Sequence, residues 1–182
     1  MALRILALTL VGLAVLWPVA GDEIVEALKP DEAGCAGAGA GPDPERVQEG
    51  RAAVLCLLNV QREGHGLPPF TADAMLDRAA QRHAEDMAER DFFAHENPDG
   101  FGPDARIRRA GFEGRTTGEN LAWGTGPEAT AAATVDGWMH SPGHRANILR
   151  RSFTKVGTGL VDGSPDPLVR DRAGIWVNAF GG

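Results

Sequence analysis

Cysteine is scarce in this chain: Cys35 and Cys56 are the only two among 182 residues. Neither has a histidine or basic residue close enough in sequence to lower its thiol pKa, which argues against a catalytic cysteine. Positive charge is short as well. The net charge of −7 argues against a general nucleic-acid role. Arginines do cluster locally, at Arg106, Arg108 and Arg109 and at Arg145, Arg150 and Arg151 with Lys155. With nothing aromatic between them, they read as solvated helix faces. No His-Glu-x-x-His helix is present, so a dedicated metalloprotease motif is missing. There is no internal repeat. The one long apolar run, Ile5 to Trp17, falls short of the about 20 residues that cross a bilayer.

What remains has ordinary globular composition, 43% hydrophobic and 24% charged, in a length that supports one domain with a proper core. Residues 1–21 read as an export signal. Arg4 supplies the positive end, the apolar run follows, and Val19, Ala20 and Gly21 are small. An uncleaved membrane anchor is the second reading. Cys35 does not make a lipoprotein processing site, because Asp31 and Glu32 precede it and the apolar run lies far away. Residues 22–43 turn Gly/Ala/Pro-rich and read as a flexible linker. The folded domain is expected over 44–182. In an exported chain Cys35 and Cys56 can pair, tying the N-terminal extension to the first helix, or can remain two thiols with Cys56 a small buried hydrophobe.

Pro44 behind Asp43 suits the first turn of a helix running to about Glu63. A second helix runs from a cap at Thr71 or Asp73 to about Arg90. Leu76, Ala80, His83 and Met87 form its inner face, so His83 reads as a core histidine bonded to a neighbour. His65, beside a glycine at the end of the first helix, reads as solvated. Residues 91–103 form a loop that carries His95, with a turn at Pro98-Asp99-Gly100. Short helices are expected over 103–110 and from His144, with a longer one over 128–140. His140 falls on that helix's last turn, where its charge is favourable. Strands are expected at Glu119 to Trp123, Val156 to Val161 and Gly174 to Phe180. Helices early and in the middle, with strands late, argue for an α+β sandwich.

Gly118-Glu119-Asn120-Leu121-Ala122-Trp123 is the stretch around which the chain is organised. An acid and an amide stand ahead of three residues that look buried, and both need partners to be buried themselves. Glu119, His95 and His144 are expected to meet in one cavity, supported by Asn120 and Ser141. The bland alternative is that Glu119 simply pairs with His95 or His144 to lock the loops, while Asn120 bonds a neighbouring backbone.

Four motifs in one order resemble the CAP superfamily of cysteine-rich secretory, antigen 5 and pathogenesis-related proteins. They are His95 before Asn97-Pro98-Asp99-Gly100; Gly118 to Ala122; Trp138 to Leu149; and Val156-Gly157-Thr158-Gly159 with Trp176 and Phe180. The third is similar to the bacterial branch. The resemblance spans about residues 50–181 and implies a three-layer α-β-α sandwich. It further implies a cavity of two histidines, His95 and His144, with the acid Glu119, which often holds a divalent ion. Where relatives place a second acid, this chain has Ser141. Asn178 stands where they tend to carry glutamine.

Two imidazoles and a carboxylate form a plausible set for Zn2+ or another divalent cation. Three functions follow as expectations. One is an exported binding module, secreted or periplasmic and monomeric, with a lipid, glycan or protein ligand. Another is a metal-dependent hydrolase of envelope or extracellular substrates. The third is an interaction domain whose polar cavity only shapes the fold. Ser141 as a nucleophile with His144 as its base is the weak catalytic candidate.

Overall fold

The computed structural model describes residues 34–39, 41–169 and 172–182. The expected export signal and the start of the linker lie outside them. The linker's far end belongs to the folded body. Cys35 and Ala38 are buried in the core, Ala132 donates its N–H to the Ala38 carbonyl, and Cys35 is joined to Cys56. A bridge closing a loop of this size contributes about 3 kcal/mol.

A single turn of 3-10 helix at Pro44–Arg46, capped by the Asp43 carboxylate, leads into α1 (Val47–Gly64). Then come β1 (Thr71–Ala72), α2 (Ala74–Glu89), α3 (Pro103–Arg109) and β2 (Thr117–Thr125). The chain ends with α4 (Ala131–His140), α5 (Pro142–Ile148), β3 (Lys155–Asp162) and β4 (Ala173–Gly181). Asp73 is the α2 cap, accepting from the Met75 and Leu76 N–H groups. The two-residue β1 is too short for any alternation to announce it.

The strands form one mixed sheet in the order β1-β3-β4-β2. β3 and β2 flank β4 antiparallel, and β1 joins β3 in parallel. Helices cover both faces. On one, α1, α4 and α5 bury Leu57, Leu58, Val135, Trp138 and Ile148 against Trp176 and Phe180. On the other, α2 and α3 bury Leu76, Met87 and Ile107 against Ile175, Val177 and Ala179. The result is the expected α-β-α sandwich. It also explains why every residue of β4 is buried rather than every second one: a strand covered on both sides has no solvent face.

The glycines of β3 fix how closely the second layer sits. A Cβ on Gly159 would lie 2.5 Å from the Ala80 carbonyl, and one on Gly157 would collide with the backbone of Leu76 and Asp77. α2 therefore lies directly on the strand. Arg62, fully buried at the end of α1, fastens the far side. Its guanidinium donates to the carbonyls of Pro68, Ile148, Arg150 and Phe153, holding the exit of α5 in place.

Candidate functional site

β2 is an edge strand, and the candidate site straddles it. Gly118 enters without a side chain because a Cβ there would sit 2.8 Å from the Phe153 ring. Alternation then sends Glu119 and Leu121 to the α2 and α3 side and Asn120 to the α5 side. The strand's edge position also corrects one expectation: Leu121 is buried, but Trp123 is a large exposed hydrophobic.

On the first side Glu119 is the centre. Its side chain is only 3% exposed, and both oxygens are engaged. Oε1 pairs with Nδ1 of His95 at 2.8 Å, and Oε2 accepts from Nη2 of Arg106 at 2.7 Å. Here the structure corrects the reading of Arg106 as part of a solvated basic face. Arg108 and Arg109 are indeed exposed, but Arg106 turns inward and is 11% exposed. Its Nη1 also donates to the carbonyls of His95 and Phe101, so one guanidinium grips the acid and two points of the 91–103 loop. The signal that could have found it is the acid itself, since a buried carboxylate calls for a cation nearby.

The loop has further supports. His83, fully buried, bonds the Ala94 carbonyl through Nε2 at 3.0 Å, as a core histidine should. Asn97 donates to Asp86 and accepts from the N–H groups of Asp99 and Phe101. Arg90 bridges Asp86 and Asp99. These contacts leave the His95 imidazole 55% exposed at the loop surface but fixed by its carboxylate.

On the other side of β2 the groups are neutral. Asn120 is fully buried, donates to the His144 carbonyl at 3.1 Å and accepts from Asn147 at 2.9 Å. Asn147 also donates to the Glu119 carbonyl, capping the strand edge, and Trp138 does the same at Leu121. Asn147 lies inside one of the family-like motifs, but sequence reasoning assigns it no role. Asn178, in register with Asn120, is buried with neither amide atom partnered among the described residues.

His144 is half-buried, and burial and the nearby His95 both lower its pKa. His95 moves the other way, raised by its hydrogen bond to Glu119 against some loss from burial. Ser141 precedes α5 at the cap position, but its side chain makes no capping bond. Among the described residues no hydrogen bond joins it to His144. His65 and His140 are exposed and bond carbonyls of their own helices.

The sequence also offers the two histidines and the acid as a metal set. Among the described residues no three His, Cys, Asp or Glu side chains stand close enough to hold an ion together. Glu119 already meets a guanidinium and an imidazole with its two oxygens. As arranged, these residues do not fit a three-ligand zinc centre.

Comparison with known proteins agrees with the fold and the motif order. The family model for CAP, the cysteine-rich secretory protein family, matches residues 55–177. The chain belongs to the CAP family. It is 32% identical over 137 residues to the uncharacterized protein YkwD of Bacillus subtilis (strain 168), covering 75% of this chain and 49% of that one. It is 33% identical over 109 residues to that organism's uncharacterized membrane protein YlbC, covering 59% of this chain and 30% of that one. The chain thus spans about half or less of the length of these curated relatives. Among solved structures, an extracellular protein containing a SCP domain from Bacillus anthracis str. Ames superposes with a TM-score of 0.64 at 25% identity, covering 76% of this chain and 43% of that one. An outer surface protein from Borrelia burgdorferi superposes at 0.63 with 22% identity, covering 79% of this chain and 97% of that one, a likeness of fold. Among the described residues no helix is long and apolar enough to cross a membrane.

Proposed function

We propose that this CAP domain is an exported, non-catalytic binding module that works outside the cytoplasm, with His95 and the 91–103 loop as its contact surface. The observation that carries this reading is the state of Glu119. Both oxygens are hydrogen-bonded, one to a guanidinium anchored on two further carbonyls, so the acid is poorly placed to take a proton from water. No second carboxylate is hydrogen-bonded to His95, Glu119 or His144 among the described residues, so a two-acid mechanism has no partner group. The same contacts suit a rigid loop that presents an exposed imidazole to a lipid, glycan or protein ligand. The extracellular and surface character named for the two structural relatives supports export.

Co-sedimentation with bacterial cell-envelope fragments tests this, with soluble products measured in the same tubes with and without added zinc. The expected result is retention on the fragments without product release, weakened in His95→Ala. Zinc-dependent release that His95→Ala abolishes would replace this reading with the metal-dependent hydrolase.

A further inference from the structure

The buried acid raises a question that the binding-module reading does not answer: what neutralises it. A carboxylate this deeply buried needs a cation. We infer that Arg106 is the built-in cation of this cavity, standing where a divalent ion would neutralise Glu119, so that the site holds its shape without metal and Arg106 keeps a divalent ion away from Glu119. Two independent observations carry this. First, the Arg106 guanidinium lies 2.7 Å from Glu119 on a side chain almost as buried as the acid. An ion bound to Glu119 would stand beside a fixed like charge, and Coulomb repulsion is strong where water is excluded. Second, the guanidinium is held at two points of the loop, the carbonyls of His95 and Phe101. It cannot swing away to admit an ion without breaking the contacts that place His95. An arginine on the surface would have no such restraint.

One further donor stands beside Glu119. His95 gives Nδ1 to Glu119, leaving Nε2 free of any hydrogen bond among the described residues. With Arg106 replaced by an apolar side chain of similar length, Glu119 would lose the guanidinium, and its carboxylate with the His95 imidazole beside it would be open to a divalent ion.

Calorimetric titration of zinc into the metal-stripped full-length protein tests the inference, with wild type beside Arg106→Met, Arg106→Lys and Arg106→Met/Glu119→Gln. The expected order is weak or absent uptake in wild type and in Arg106→Lys, and one equivalent bound about tenfold or more tighter in Arg106→Met. The double variant should lose that gain. Arg106→Met leaves the buried acid with His95 alone as a charged partner, so its melting temperature is followed with and without zinc beside the affinity. A zinc-dependent rise confined to this variant supports the inference. One equivalent bound tightly by wild type and lost in His95→Ala would overturn it, as would a folded Arg106→Met that binds no better than wild type. These outcomes are separate from envelope retention, which zinc should leave unchanged.

Discussion

The two sides of β2 solve one problem, fastening an edge strand to the loops around it, with opposite chemistry. Toward α2 and α3 the fastening is charged: Glu119, Arg106 and His95. Toward α5 it is made of amides and carbonyls: Asn120, Asn147 and the His144 backbone. Adjacent residues in sequence, Glu119 and Asn120, begin the two networks because a strand alternates its faces. The difference teaches where responsiveness can reside. Neutral amides do not titrate and do not attract ions, so the Asn120 side acts as a latch. The charged side ends in an exposed imidazole whose state depends on pH and on what approaches it.

The largest effect should come from unbalancing the charged side. Glu119→Gln leaves the Arg106 guanidinium buried without its counter-charge, which typically costs about 3–5 kcal/mol. Urea denaturation measures this, and hydrogen exchange should show lost protection across 91–103 rather than along β2. A cost no greater than that of breaking the amide side would mean that charge adds nothing to the fastening.

Asn120→Ala is the matching cut on the other side. It removes one hydrogen bond to the His144 carbonyl and one from Asn147, which keeps its bond to the Glu119 carbonyl, at a cost of about 1–3 kcal/mol. Its effect should be constant between about pH 5 and 8, since amides and carbonyls do not ionise there. A cost that varies with pH in this range would show that the cut reaches a titrating group, His144 on the same side or His95 across the strand.

How much of this could be read from sequence divides along the same line. His95 and Glu119 were legible because a loop histidine and an acid set before an apolar run both demand partners, and each became the other's. The reading of Glu119 as a loop lock and Asn120 as a backbone anchor describes the observed bonds closely. The sandwich was legible in the order of its helices and strands. Arg106 was not legible, because Arg108 and Arg109 beside it are solvated and a seven-residue helix gives too little periodicity to separate them. Burial of the Cys35 segment was hidden for a different reason. Its Gly/Ala composition offers little to bury, and the bridge to Cys56 holds it against the core in place of large side chains.

The smallest predicted effect is the pH response of the charged side, and it separates His95 from the other histidines by sign. The hydrogen bond to Glu119 raises the His95 pKa. Its contribution to stability is therefore full below the unfolded-state value of about 6.5 and fades as pH rises through the higher folded value. Burial lowers the pKa of His83 and of His144, so these two oppose folding as pH falls below about 6.5. The three contributions partly cancel in wild type, and a simple pH profile hides them. His95→Gln isolates one, because glutamine can still donate a hydrogen bond to Glu119 but cannot titrate. Because the His95 side chain is 55% exposed, solvent screening should keep the pH-dependent part of its stability difference from wild type below about 1 kcal/mol. That difference should be full below about pH 6 and shrink toward about pH 9. A difference that grew with pH would mean that His95 is held as a neutral Nδ1–H donor rather than as the cationic partner of Glu119, and the charge on that side would then rest on Arg106 alone.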